Sequence, residues 1–250
     1  MPHPDPSATA APLAPGGQPP LHLFLFHHAG GSASHYRRWL PKFPPAWRVR
    51  PLSLPESDPD WATAVDHLAS AIGDHTRGPY ALFGHSMGGL LAFDVTARLE
   101  ARGERPPVWL GVSAYPQPAP NEPGRHLMPS ERLRELAARL GGLPRIVLES
   151  DHLWPEVEAR LRRDLALLES RTAGTPRVRT PLSLYCGQQD PVSGPSGMPG
   201  WQGLASRMLG VRVYPGGHFY FQNRVSDVVH DIVHDIRHCL PDERGEPCVP

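Results

Sequence analysis

Apolar residues recur along this chain with two different spacings that follow each other in turn. Short apolar runs at residues 21–26, 80–83 and 108–112 have the length and composition of buried strands. Residues 61–72 and 90–99 instead place an apolar side chain every three or four positions, as helices do. Strands that alternate with helices predict a mostly parallel sheet with helices on both faces.

The same alternation is found before and after these segments. Apolar positions predict a second strand at about residues 48–54 and later strands at 182–186 and 211–214. A last helix is predicted over about residues 225–240. The chain therefore has the element order of a single α/β domain.

One long segment interrupts the alternation. Residues 114–179 begin with a proline-rich stretch and contain helical patterns at about 129–140 and 154–168, without a clear strand. Such a segment is too long for an ordinary connection, and we interpret it as a helical lid. The expected organisation is a domain over 21–240 with a lid at about 114–179, a disordered Pro/Ala-rich leader at 1–20 and a flexible tail at 241–250.

Composition excludes several classes of protein. The 25 basic and 25 acidic residues balance to zero net charge, so no nucleic-acid-binding surface is expected. The three cysteines, Cys186, Cys239 and Cys248, are an odd number without metal-site spacing, which favours a reduced cytoplasmic protein. Residues 1–20 lack the basic and apolar regions of a signal peptide, and no apolar run could span a membrane.

Residues 84–88 (GHSMG) carry the first sign of chemistry. They match the G-x-S-x-G nucleophile elbow and lie between a predicted strand and a predicted helix, which is the context that this motif requires. Gly84 and Gly88 allow the strand and the helix to approach closely, and the turn exposes the hydroxyl of Ser86. The motif predicts the α/β-hydrolase fold with Ser86 as its nucleophile.

A serine nucleophile needs a base, and the base needs an acid to orient it. In this fold the chain order is serine, acid, histidine, each on a loop after a strand. Asp190 follows the strand ending at Cys186, and His218 follows the strand ending at Tyr214. The alternative acid position, after the strand at 108–112, has no carboxylate before Glu122. We therefore predict Asp190 as the acid and His218 as the base.

Other histidines have simpler explanations. His85 lies inside the elbow motif and is expected to pack in the turn. His230, His234 and His238 recur every fourth residue and resemble a metal-binding face, but an apolar stripe occupies the opposite side of the same helix. We expect these three on a solvated face, and we predict no metal site and no cofactor.

The oxyanion of a tetrahedral intermediate needs two backbone N–H donors. The residue after the nucleophile, Met87, supplies one in this fold. The other is expected from the loop after the first strand, residues 28–31 (HAGG).

Five segments in order resemble type II thioesterases of polyketide and nonribosomal peptide biosynthesis. Residues 26–36 (FHHAGGSASHY) resemble that family's FPHAGGSAS-Y segment, and 80–89 (YALFGHSMGG) resemble its YALFGHSMGA elbow. Residues 140–144 (LGGLP), 161–165 (LRRDL) and 215–219 (PGGHF) are similar to its LGGTP, LRADF and PGGHF segments. The similarity covers about residues 21–240.

The resemblance implies hydrolysis of acyl groups from the phosphopantetheine arm of an acyl or peptidyl carrier protein, for editing or product release. Ser86, Asp190 and His218 match the family triad, and Met87 and Ala29 match its oxyanion donors. A phosphopantetheinylated carrier protein is the expected partner, and the enzyme itself is expected to be a monomer.

Some features are left open by the resemblance. Trp154, Val157, Leu161, Leu165 and Leu168 form an apolar stripe that would shape the acyl pocket, although most of it is expected to be ordinary core. The chain departs from the family at His27, at Glu56 and at Gln188–Gln189, and the first two departures put acyl specificity or carrier docking in doubt.

An esterase or lipase acting on small oxygen esters is an alternative to the thioesterase. So is a carrier-binding accessory protein or an enzyme of acyl transfer or cyclisation, because the fold does not choose the acceptor.

Overall fold

Six strands form a single sheet in the computed structural model, which describes residues 19–54, 60–73, 75, 77–117, 124–172, 174 and 176–240. The strands are β1 (His22–Phe26), β2 (Arg48–Leu52), β3 (Tyr80–His85), β4 (Trp109–Ser113), β5 (Leu182–Gly187) and β6 (Met208–Tyr214). Their order across the sheet is β2-β1-β3-β4-β5-β6, and all neighbours are parallel. The strand order reverses between β1 and β3, so the loops after these two strands diverge and open a crevice at their carboxyl ends.

The helices connect the strands. They are α1 (Trp61–Gly73), α2 (Met87–Ala101), α3 (Ser130–Leu140), α4 (Arg145–Leu148), α5 (Trp154–Glu169) and α6 (Val225–Cys239). Short 3₁₀ helices lie at Ala33–Tyr36, Leu40–Lys42, Arg125–Leu127, Pro195–Gly197 and Pro199–Trp201. No helix of the described residues is long and apolar enough to cross a bilayer.

Alternate residues of the strands supply a core on each face of the sheet. Phe24 and Leu82 face α1 and α2, whereas Leu23 and Phe83 face α6 and the chain after β1. Every residue of β3, β4 and β5 is buried. Burial on both sides explains why these strands are continuous apolar runs in the sequence instead of alternating ones.

The helices between β4 and β5 lie beside these cores and contact one of them through Leu167 and the other through Leu140. Helices α3, α4 and α5, called the cover helices below, have their own small apolar cluster of Leu133, Ala137, Trp154 and Leu165. Only Leu133 and Ala137 are buried in α3. These helices are therefore amphipathic, with much of their surface in solvent.

The α/β-hydrolase fold and the parallel sheet predicted from the sequence are confirmed. Three details differ. β2 ends at Leu52 instead of near 54, α4 was not predicted, and β6 begins at Met208, three residues before the predicted strand. The missed start of β6 contains Gly210, and its pairing with β5 shifts register between Leu182 and Ser183, which hides the strand period. Residues 1–18 of the expected leader and the tail at 241–250 lie outside the described residues.

Candidate active site

Ser86 occupies the sharp turn between β3 and α2. Its backbone has φ 56° and ψ −126°, a conformation that residues with a side chain rarely adopt. Two backbone hydrogen bonds hold it: the Ser86 N–H donates to the Ser113 carbonyl at 2.7 Å, and the Gly89 N–H donates to the Ser86 carbonyl at 2.8 Å. The sheet and the first turn of α2 thus fix the serine from both sides.

Only glycine fits on either flank of this turn. A methyl group on Gly84 would meet the Gly88 carbonyl, and one on Gly88 would meet the carbonyls of Phe26 and His27. All of these atoms belong to the backbone, so no side-chain adjustment could make room. The close approach of strand and helix that the sequence motif predicts is therefore present in the structure.

Asp190 and His218 meet at the carboxyl ends of β5 and β6. His218 Nδ1 lies 2.8 Å from Asp190 Oδ2, and both side chains are almost fully buried. The Val192 N–H donates to Asp190 Oδ1 at 2.8 Å. Burial raises the pKa of Asp190, but the hydrogen bond from His218, the charge of that ring and the backbone N–H groups of Val192 and Ser193 together bring it below its usual value.

Backbone contacts between the two loops fix the position of this pair. The Gln189 N–H donates to the Gly216 carbonyl at 2.9 Å, and the Gly216 N–H donates to the Gln189 side-chain oxygen at 2.6 Å. Gln189, which departs from the family pattern, is thus one of the residues that join the loops. With Nδ1 directed at Asp190, the other ring nitrogen of His218 is left for the cavity that His218 and Ser86 both line.

His85 is buried within the turn, as the sequence predicted. Its Nδ1 lies 2.8 Å from Ser113 Oγ, which in turn lies 2.8 Å from the Tyr220 hydroxyl. Burial, followed by the nearby His218 and His28 rings, holds the pKa of His85 well below its usual value. A neutral His85 therefore supports the turn from beneath.

The loop after β1 lies beside Ser86. Ala29 and Met87, the two residues expected to donate to the oxyanion, line the same cavity as Ser86. His27 Nδ1 lies 2.8 Å from the His28 carbonyl, so the residue that replaces the family's proline makes a bond within the loop itself. Burial is the main cause that lowers the pKa of His27.

Asp164 is a residue of the site that sequence reasoning missed. It is fully buried on α5, and its Oδ2 accepts the Gly30 N–H at 2.8 Å. Arg163 Nη2 lies 2.9 Å from the other carboxylate oxygen. The segment 161–165 was singled out only for its resemblance to LRADF, without a role for its acid. The signal available was a carboxylate close to the apolar stripe of this helix.

A cavity of about 370 Å³ joins these residues. Its floor is made by the loops after the strands, including Ser86, Ala29, Ala114 and His218. Its roof is made by apolar side chains of the cover helices and their connections: Leu136, Ala137, Leu140, Leu143, Val157, Leu161, Leu165 and Leu168. Both expectations for the α5 stripe are confirmed, because its members pack in apolar clusters and all of them except Trp154 also line the cavity.

The histidines of α6 lie away from this site. His230, His234 and His238 are exposed, and Val229, Ile232 and Ile236 are buried on the opposite side of the helix. The predicted solvated face is confirmed. Glu56, the second family departure, lies outside the described residues.

Comparison with known proteins places this site in context. A family model described as "Thioesterase domain" matches residues 21–236. The gramicidin S biosynthesis protein GrsT of Aneurinibacillus migulanus is 28% identical, over 80% of this chain and 82% of its own length.

Two solved structures are similar over more than nine-tenths of their length. The RedJ thioesterase of the prodiginine pathway in Streptomyces coelicolor is 29% identical with a TM-score of 0.77, over 94% of this chain and 91% of its own. The type II thioesterase BorB of the borrelidin biosynthetic cluster is 27% identical with a TM-score of 0.74, over 90% of this chain and 95% of its own.

Proposed function

Because this chain belongs to the thioesterase domain family, we propose that it releases acyl groups from phosphopantetheine thioesters on the carrier proteins of a polyketide or nonribosomal peptide synthase. The observation that carries the proposal is the cavity itself. Ser86, the Asp190–His218 pair and both expected oxyanion donors border one space whose roof is apolar. The relatives named above come from the gramicidin S, prodiginine and borrelidin biosynthetic pathways.

In the proposed mechanism, Ser86 Oγ attacks the thioester carbonyl while His218 removes its proton. The backbone N–H groups of Met87 and Ala29 stabilise the oxyanion of the tetrahedral intermediate. As that intermediate collapses, the C–S bond breaks and His218 returns the proton to the departing thiolate. Asp190 orients the ring and stabilises it while it is protonated.

Water completes the cycle. His218 removes a proton from a water molecule, which attacks the acyl ester on Ser86, and the second tetrahedral intermediate expels the serine with the proton returned to Oγ. The cover helices act as the lid of this site in our proposal, because their apolar side chains hold the acyl chain and exclude bulk water during both steps. We place the enzyme in the cytoplasm with its carrier partner, as a monomer.

The nucleophile is tested with an acyl group loaded on a phosphopantetheinylated carrier protein. We expect Ser86→Ala to lower the rate of acyl release by about 10⁶-fold, as removal of a serine nucleophile does elsewhere. Release is followed by mass spectrometry of the carrier. Ser34→Ala, at an exposed serine of the neighbouring 3₁₀ helix, is the matched control and keeps the wild-type rate. Unchanged release by Ser86→Ala contradicts the assignment.

The leaving group separates a thioesterase from an oxygen esterase. The same acyl group is offered as a pantetheine thioester and as an oxygen ester of a similar alcohol, and kcat/KM is compared. We expect the thioester to be the better substrate, because the thiolate leaves readily and the enzyme then mainly positions the chain. A strong preference for the oxygen ester would overturn the proposed substrate class.

A further inference from the structure

The cavity changes character along its length. The side of α5 that lies over the catalytic loop is apolar, and Leu161 packs so close to Gly30 that an added methyl group there would lie 3.3 Å from the Leu161 side chain. Eight residues further along α5, roughly 12 Å at 1.5 Å per residue, Glu169 lines the cavity, followed by Arg171. Arg125 lines it as well. An acyl chain that extends away from Ser86 along α5 therefore meets charged groups.

Arg171 is held rigidly at this polar end. Its Nε and Nη2 groups donate to the two oxygens of Asp94 at 2.6 and 3.0 Å, and Nη2 also donates to the Gly174 carbonyl at 2.8 Å. Asp94 accepts a further bond from the Trp61 ring N–H at 2.7 Å. A guanidinium has five N–H groups, and these bonds use the one on Nε and the two on Nη2. The two on Nη1 point away from the edge that faces Asp94.

Other polar residues of this protein lie around Arg171 at the polar end of the cavity. Glu169 accepts the Gly124 N–H at 2.9 Å and lies 2.7 Å from His126 Nδ1. Burial raises the pKa of Tyr115, another lining residue, to about 12, and the charge of Arg171 acts in the opposite direction, which agrees with their closeness. Arg125 and Arg171 are balanced by Asp94 and Glu169. Because these four charges cancel, this end of the cavity favours a ligand group with an uncharged oxygen over a carboxylate.

We propose that Arg171 is a specificity-determining residue that donates a hydrogen bond to an uncharged oxygen, a hydroxyl or keto group, near the far end of the acyl chain. The inference rests on the proposed function and names its substrate class as oxygenated acyl chains of medium length. Asp94 follows Ser86 by eight residues of α2, about 12 Å, and an extended chain advances about 1.2 Å per bond. The oxygen would thus lie roughly ten bonds from the reacting carbonyl.

The test compares matched pairs of substrates. Hexanoyl, octanoyl and decanoyl pantetheine thioesters are each paired with the ω-hydroxy derivative, and kcat/KM is measured for both. We expect the wild-type enzyme to prefer one of the longer hydroxylated chains by about tenfold over its saturated partner, the effect of one hydrogen bond to a charged donor. The hexanoyl pair, which is too short to reach Arg171, shows no such preference.

A double variant tests the residue itself. Asp94→Asn with Arg171→Met removes both charges together, so that neither is left buried without a partner, and the amide oxygen introduced at position 94 can still accept the Trp61 bond. We expect the preference for the hydroxylated chain to disappear, measured as the ratio of the two kcat/KM values within each pair, so that a general change in activity cancels. The control is Arg212→Met with Asp235→Asn, which removes an ion pair between β6 and α6 on the other face of the sheet. It keeps the wild-type ratio.

The outcomes separate this inference from the proposed function. Equal kcat/KM within every pair for the wild-type enzyme overturns the role of Arg171 and leaves the thioesterase intact. A preference that survives in the Asp94/Arg171 double variant overturns it too. If the wild-type enzyme hydrolyses no thioester at all, the proposed function fails, and the substrate class fails with it.

Discussion

The floor and the roof of the cavity are built in different ways. The floor consists of loops at the carboxyl ends of the strands, three of which, β3, β4 and β5, are buried throughout. Backbone hydrogen bonds hold it. The roof consists of amphipathic cover helices with a small cluster of their own. Side-chain contacts connect it to the rest of the domain, among them the bond of Asp164 to Gly30 in the floor and, just after α5, the pair of Arg171 with Asp94 of α2. From this difference we expect the floor to determine the reaction and the roof to determine which acyl chain reacts.

The largest expected effect comes from the floor. Asp190→Asn should lower kcat by about 10⁴-fold, because the amide favours the wrong tautomer of His218. The loss should be the same for every acyl chain, since the substitution does not touch the roof. Steady-state kinetics on short and long pantetheine thioesters measure it, with circular dichroism to confirm folding. A loss that varies with chain length would contradict the division between floor and roof.

Asp164→Asn tests the point where roof and floor meet. The amide can still accept the Gly30 N–H, but without its negative charge the bond weakens and the loop that carries Ala29 is less firmly held. We expect kcat to fall by about 10- to 100-fold on all chains, less than the loss of a whole oxyanion donor. Asp151→Asn, at an exposed acid of the cover region, is the control. Unchanged kcat would show that α5 does not position this loop.

A roof substitution should affect chains selectively. Leu136 lines the cavity from α3, and Leu136→Ala should reduce kcat/KM about fourfold for each methylene group of the acyl chain that the smaller side chain leaves uncovered, at about 0.8 kcal/mol per group. Chains too short to reach it should react as before. Leu127→Ala, at an exposed leucine outside the cavity, is the control. An equal effect on all chain lengths would place Leu136 among the residues that support the reaction itself.

The smallest expected effect is on the stability of the fold at acidic pH. Burial lowers the pKa of His35 to about 4 and holds the pKa values of His28 and His85 well below 6.5. Between pH 6.5 and pH 4 these histidines bind protons in the unfolded chain but not in the folded one. The stability that their neutral forms give the fold is therefore fully present above pH 6.5 and is lost as the pH falls toward 4. His35→Phe should reduce this loss.

Thermal unfolding at neutral and at acidic pH measures the effect. We expect the fall in Tm between the two to shrink by a few degrees in His35→Phe, and to stay the same in His230→Gln, whose histidine is exposed. An unchanged fall in His35→Phe would show that the neutral, half-buried His35 ring does not contribute to acid sensitivity.

Much of the floor could be predicted from the sequence, because local patterns specify it. The apolar run of β3, the two glycines around Ser86 and the short loops after β5 and β6 each carry their own signal. The distance between Asp190 and His218 follows from the parallel order of their strands. The contact of Asp190 with His218 could be predicted since the position after β4 offers no carboxylate.

The roof could not be predicted to the same degree. Asp164 binds Gly30, and Arg171 binds Asp94, 77 positions away in the sequence. No local pattern records such partners, and on a helical template Asp164 looks like an ordinary polar position. α4 is a single turn of four residues, too short to show a period. The apolar stripe of α5 could not be divided between core and cavity, because lining a cavity and packing in a core need the same side chains.

The backbone of Ser86 has an evolutionary consequence. Its φ of 56° lies in a region that glycine adopts without strain and that residues with a side chain rarely adopt. The backbone strain at such a residue costs of order 1–3 kcal/mol. A single domain has only about 5–15 kcal/mol of stability in all. Selection for stability alone would therefore drive position 86 toward glycine. The serine persists there only while its hydroxyl is needed, which makes this residue a marker of whether a descendant of this chain is still an enzyme.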